Sequence, residues 1–146
     1  RERIRKARRN AALSNPSWQS TMGNVSENER FSSKAERNLA EKLGDEFFRH
    51  KKILLDSGTA IDVDIAHIQK DIWIESDGPY HFEKVHEHHD FQRSKKRDEE
   101  QSTHCLTNDI LLIRVNNFKF SIQQQVQFVK EQIVKWDGTG RVVELY

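Results

Sequence analysis

Apolar residues in this chain fall into short periodic runs separated by polar stretches, and the periods name the elements. Ile61, Val63 and Ile65 alternate with Asp62, Asp64 and Ala66, a period of two that predicts a strand over 61–68. Gln69-Lys70 reads as a turn, and Asp71 to Glu75 returns as a second strand stopped by Asp77-Gly78-Pro79. Ile110 to Val115 is a continuous apolar run, which predicts a buried strand. Ile122, Val126, Val129 and Ile133, with Phe128, recur at helical spacing and predict an amphipathic helix. Asp137-Gly138-Thr139-Gly140 then turns the chain into a closing strand over 141–146. Upstream, Ser33-Lys34-Ala35-Glu36 has the form of a capping box, so a helix is expected with Ser33 as its N-cap. Ala35, Leu39, Ala40 and Leu43 share one face of it, and Gly44 closes it. Phe47, Phe48 and Ile53 to Leu55 suggest an edge strand or an extended approach to the sheet. Residues 86–103 hold almost nothing apolar beyond Phe91 but many helix formers, which predicts an exposed helix from about Asp90 to Gln101. The order of these elements predicts an α/β fold, a small mixed sheet flanked by helices.

Composition narrows the class. At 146 residues one core is the default, and 35% hydrophobic against 32% charged residues is polar but not a disordered composition once the apolar runs are counted. A single cysteine excludes a disulfide framework or a Cys-rich zinc cage and suits a reducing, cytoplasmic setting. No apolar stretch nears the roughly 20 residues that cross a bilayer, so no membrane partner is expected. Net charge is +1, yet residues 1–9 alone carry +5, through Arg1, Arg3, Arg5, Lys6, Arg8 and Arg9 against Glu2. Residues 1–32 therefore read as a basic arm and polar linker, and 33–146 as the folded domain. The chain starts at Arg1, so it is expected to continue a longer protein. A solvated terminus explains the arm equally well.

The acids are the oddity. Asp62 and Asp64 interrupt an apolar strand, and Glu75 and Asp77 end its neighbour. Carboxylates crowded in a partly buried sheet repel and lose hydration, a cost that a cation offsets. Oxygen donors on adjacent strands suit Mg²⁺, which binds through one or two carboxylates and accepts phosphate oxygens. Each acid also has a plain explanation. Alternating acids ordinarily face solvent, Asp77-Gly78 is an ordinary turn, and Glu36 is accounted for by capping. His81 follows closely, and an imidazole titrating near pH ~6.5 can take a proton from an attacking water. The plain alternative is a surface histidine in a His-rich loop with His86, His88 and His89; a zinc-binding module on that cluster is a weaker rival, since Cys105 is the only thiol and no paired ligand spacing recurs.

Together these segments make residues 33–134, about 100 of the 146, resemble the PD-(D/E)XK nuclease superfamily. The branch is that of very-short-patch-repair endonucleases and phage homing endonucleases of the EDxHD type. The matching residues are Glu36 in Ser33-Lys34-Ala35-Glu36-Arg37, Asp64 in Val63-Asp64-Ile65, the run Glu75-Ser76-Asp77-Gly78-Pro79-Tyr80-His81, Asp90-Phe91-Gln92-Arg93, and Ile113-Arg114-Val115-Asn116. The step of eleven residues from Asp64 to Glu75 favours Asp64 over Asp62 as the principal ligand. The superfamily's Lys is absent, Asp77 standing in its place, and the branch uses a histidine instead.

The resemblance implies a restriction-endonuclease-like core and a Mg²⁺-dependent DNA endonuclease, with Mn²⁺ able to substitute. Asp64, Glu75 and the Ser76 carbonyl would hold the metal. His81 would activate water, Asp90 would orient His81 or bind a second metal, and Glu36 would act from the helix. Arg93, Lys96, Arg97 and Arg114, with Arg5, Arg8 and Arg9 of the arm, would contact the phosphates of double-stranded DNA. For the lysines, a solvated face interleaved with Asp98, Glu99 and Glu100 is the simpler account. A homing-type enzyme, a homodimer for cutting two strands, and a bacterial or phage-infected cytoplasm follow from the same likeness. The rivals are a mismatch- or transposition-associated nicking enzyme and a catalytically silent DNA-binding domain.

Overall fold

A computed structural model describes residues 27–79 and 91–146. In chain order they form α1 (Glu27–Leu43), β1 (Phe47–Leu54), β2 (Ala60–His67), β3 (Ile72–Asp77), α2 (Phe91–Thr107), β4 (Leu111–Asn116), α3 (Ile122–Lys135) and β5 (Arg141–Leu145). The five strands make one mixed sheet in sequential order. β1, β2 and β3 are successive antiparallel neighbours, whereas β4 lies parallel to β3 and β5 parallel to β4. The parallel half needs crossovers, and α2 and α3 supply them.

The two faces have separate cores. On one, Leu39 of α1 and Val129 of α3 cover Ile72, Ile74, Leu111, Ile113 and Val115. On the other, Cys105 of α2 packs with Trp73, Leu112, Ile53 and Val63. β4 is buried along its whole length because helices cover both sides, which is why it reads as an unbroken apolar run. Among the described residues no helix is long and apolar enough to cross a membrane.

Two helix ends differ from the sequence reading. α1 begins at Glu27, so Ser33 lies inside the helix and the boundary expected between residues 32 and 33 falls within an element. The capping box is instead at α3, where Gln124 N–H donates to Ser121 Oγ (3.2 Å) and Ser121 N–H to Gln124 Oε1 (2.9 Å). A three-residue signal cannot tell a helix start from its interior when the preceding Glu-Asn-Glu-Arg also tolerates helix. α2 runs on to Thr107, six residues past the expected end, because Gln101 and Cys105, one turn apart, both face the sheet. Gly44 closes α1 as expected, at φ 103°.

The sheet is forked. β2 pairs with β3 only at Ile65–Ile74 and Ala66–Trp73, then leaves it. The β1–β2 ladder is regular on either side of His50 and Asp64 but skips that position, where His50 takes φ 62°. Phe47 and Ile53 would share a face in an unbroken strand, yet they pack into different cores, and Val63 and Ile65 do the same across the ladder. The hairpin thus twists about His50 and Asp64, and its outer half turns toward the α2 side.

Candidate functional site

Asp64 sits at the fork. Continuing the β2–β3 register by one step would set it opposite Glu75, and here backbone pairing gives way to side-chain pairing. Asp64 Oδ2 accepts the Ser76 N–H at 2.8 Å, so the carboxylate takes up a donor in the diverging sheet. The Asp64 and Glu75 carboxyl groups hydrogen-bond to each other, which favours the proton on Glu75 and the charge on Asp64. Glu75 Oε1 also accepts Gln101 Nε2 from α2 at 2.7 Å. Arg114 sets the direction of that amide: its Nη2 donates to Gln101 Oε1 (3.0 Å) and to the Asp98 carbonyl (2.9 Å), and its Nη1 to Ser102 Oγ (2.9 Å). Because guanidinium only donates, the amide oxygen must face Arg114 and the NH₂ must face Glu75.

Glu36 reaches the same place from α1 and is buried, at 6% exposed. Arg49 Nε donates to its Oε1 at 3.1 Å. His50 bridges onward, its Nε2 3.4 Å from Glu36 Oε1 and its Nδ1 2.9 Å from Asp62 Oδ2. The other Asp62 oxygen is buried and finds no hydrogen-bond partner among the described residues. Burial, then the Asp64 charge, pushes Glu36 up to about 9, against the opposing pull of Arg49. Burial also raises Asp64, and it raises Glu75 well above the usual carboxylate range with Asp64 adding to the effect. Removing carboxylates from water outweighs the single nearby guanidinium, so the trio favours protons or a cation over bare charge.

Asp77, one step along β3, accepts the Tyr146 hydroxyl at 2.8 Å, and burial followed by the Asp77 charge holds that phenol above its ordinary value. A cleft of about 670 Å³ opens between the β1–β2 hairpin and α2. Asp62, Glu75, Asp77 and Gln101 line it, and the exposed Lys52 and Arg97 stand at its rim.

The structure therefore brings Glu36, Asp64 and Glu75 together, and it engages Ser76 through the amide N–H donated to Asp64. Arg93, Lys96 and Arg97 are exposed on α2, and of these Arg97 borders the cleft. Arg114, expected at phosphates, is instead 4% exposed and committed to Gln101, Ser102 and Asp98. It is an all-buried strand residue, so its charge turns inward to satisfy polar groups of α2. His81 and Asp90, with Arg5, Arg8 and Arg9 of the arm, lie outside the described residues. Gln101, His50, Tyr146, Arg49 and Lys52 escaped the sequence reading. Gln101 stands one helical turn before the buried Cys105, a spacing that could have marked it. Tyr146 and His50 carry no local signal.

A divalent cation fits this site by donor chemistry and charge: hard oxygens, raised proton affinities and an unsatisfied buried carboxylate oxygen. Among the described residues no three donors already surround one point. Asp64 and Glu75 are turned to each other instead, as carboxyl groups sharing a proton would be. No family model, curated protein or solved structure matches the chain.

Proposed function

We propose that this chain is the catalytic domain of a metal-dependent DNA endonuclease of the PD-(D/E)XK type, homing-like in its attachment to DNA-binding segments. The observation that carries the reading is the meeting of Glu36, Asp64 and Glu75, from a helix and two strands, at the point where the sheet forks. An Asp64–Glu75 carboxyl pair with a third, buried acid near enough to feel the Asp64 charge destabilises a fold unless it performs a task that needs it.

Asp64 and Glu75 would hold Mg²⁺, with Mn²⁺ as a substitute. The ion supplies positive charge that polarises a phosphodiester and eases deprotonation of water. The chain's own residues bind and orient. The Ser76 amide fixes one Asp64 oxygen, and Gln101, aimed by Arg114, fixes one Glu75 oxygen. Glu36, whose burial holds its proton at neutral pH, would supply a further carboxylate from the helix beside a bound metal. Lys52 and Arg97 border the cleft where they can meet a phosphate backbone. The resemblance assigns activation or positioning of the water to His81, and to Asp90 either the orientation of His81 or a second metal. Double-stranded DNA is the substrate, and two copies of the domain would be needed to cut both strands at once.

The test is nicking of supercoiled plasmid in Mg²⁺ by the parent and by Asp64→Asn, Glu75→Gln and His81→Ala. Loss of a group acting on the developing charge is expected to slow cutting ~10²-fold or more. Parental rates in Asp64→Asn or Glu75→Gln refute the site, and a parent that cuts nothing refutes the function.

A further inference from the structure

His50 is the least comfortable residue in the sheet. It lies within β1, with regular ladder pairs on both sides (Arg49–Ile65 and Lys51–Val63), yet its φ of 62° is left-handed. Few side-chain-bearing residues adopt that conformation, and a strand interior offers no turn or helix cap to excuse it. Such strain persists only where its surroundings hold it. Here they are Asp62, 2.9 Å from the ring's Nδ1, and Glu36, 3.4 Å from its Nε2. Arg49, the preceding residue, approaches the same Glu36 oxygen at 3.1 Å.

Two consequences meet at one point. The left-handed step breaks the ladder opposite Asp64 and turns the outer hairpin to the other face of the sheet. It also carries the imidazole to where a side chain from α1 and one from β2 can both touch it. A regular β1 would pair residue 50 with Asp64.

We propose that His50 is a positioning residue of the acidic site: its backbone opens the hairpin at Asp64, and its ring, hydrogen-bonded to Asp62 through Nδ1, packs against Glu36 at 3.4 Å and limits where that carboxyl can sit. The inference rests on the nuclease reading and adds to it a residue that the family likeness does not supply.

Glycine separates the two contributions, because it takes this φ without strain but carries no ring. The experiment compares the parent with H50G and H50N in three measurements: urea unfolding in EDTA, Mn²⁺ binding by calorimetry, and plasmid nicking across a Mn²⁺ titration. H50G is expected to unfold at no lower urea than the parent, yet to need about tenfold more Mn²⁺ for half-maximal binding and nicking. H50N, which tolerates the left-handed region but cannot span both carboxylates, should fall between them. A His50 with only a structural role predicts the reverse, a lower urea midpoint with unchanged Mn²⁺ dependence, and that result overturns the proposal. So does a parental Mn²⁺ titration in H50G at any stability, which would leave the nuclease reading standing. A parent that neither binds Mn²⁺ nor nicks removes the nuclease reading and this inference with it.

Discussion

Replacing Glu36 with glutamine should make the metal-free domain more stable, and increasingly so as the pH rises. Glutamine keeps the size of the side chain and an acceptor for Arg49 Nε, but it cannot ionise. In the unfolded chain a glutamate loses its proton near pH 4.5, whereas Glu36 in the fold holds it to about pH 9. Between those values the unfolded state gains free energy by ionising and the folded state does not, so the parent loses stability across that window. At pH 7.5 the gap is about 3 pH units, an upper bound of about 4 kcal/mol at 1.36 kcal/mol per unit. Residual acid crowding in the denatured chain lowers the expectation to about 2–4 kcal/mol. With a slope near 2 kcal/mol per M this is a shift of about 1–2 M in the urea midpoint.

Urea titrations of parent and Glu36→Gln in EDTA at pH 5, 6.5 and 8 measure the effect. The two midpoints should nearly coincide at pH 5 and separate in favour of the variant by pH 8. The competing force is the Arg49 guanidinium, 3.1 Å from Glu36 Oε1, which favours the charged form. A variant less stable than the parent at pH 8, or a gap that ignores pH, would mean that this ion pair wins. Arg49, and not burial, would then set the charge state of Glu36.

Other expectations follow from the same geometry. Metal at the proposed site would have to displace protons from Glu36 and Glu75, so calorimetric Mn²⁺ affinity should strengthen from pH 6 to 9 with measurable proton release, and a pH-independent constant refutes this. Arg114→Met leaves Gln101, Ser102 and the Asp98 carbonyl without their donor and should cost about 3–5 kcal/mol in urea unfolding. A phosphate-binding arginine would leave stability unchanged. Arg97→Ala, at the cleft rim, should leave stability unchanged and reduce the salt slope of DNA binding by about 0.9, read by fluorescence anisotropy. Gly140→Ala would drive a methyl group into the Leu106 backbone and should lower stability by about 3 kcal/mol or more, since neither segment can yield without moving α2 or β5.

Elements with strong periodicity were legible from the residues alone. β2 alternates, β4 is an unbroken apolar run, and α3 repeats at helical spacing; each signal is the local trace of burying one face or two. The acids of the site were legible as anomalies, because Asp64 and Glu75 occupy strand positions where carboxylates are costly. α1 and α2 were misjudged at their ends. A capping pattern is only three residues deep, and α2 buries a glutamine and a cysteine in place of an apolar stripe.

What residue order determined, then, is which segments become strands and helices and which positions carry out-of-place charge, since both depend on neighbours within a few residues. Tertiary structure alone decided where those charges meet and what surrounds them. Asp64 reaches Glu75 because the second strand leaves the third after two ladder pairs, His50 stands between Glu36 and Asp62 because one residue adopts a left-handed turn, and Arg114 faces a glutamine because the helices cover both sides of its strand. Desolvation and charge repulsion act through space, between groups as far apart in the chain as Asp77 and Tyr146. No local pattern of side chains records them.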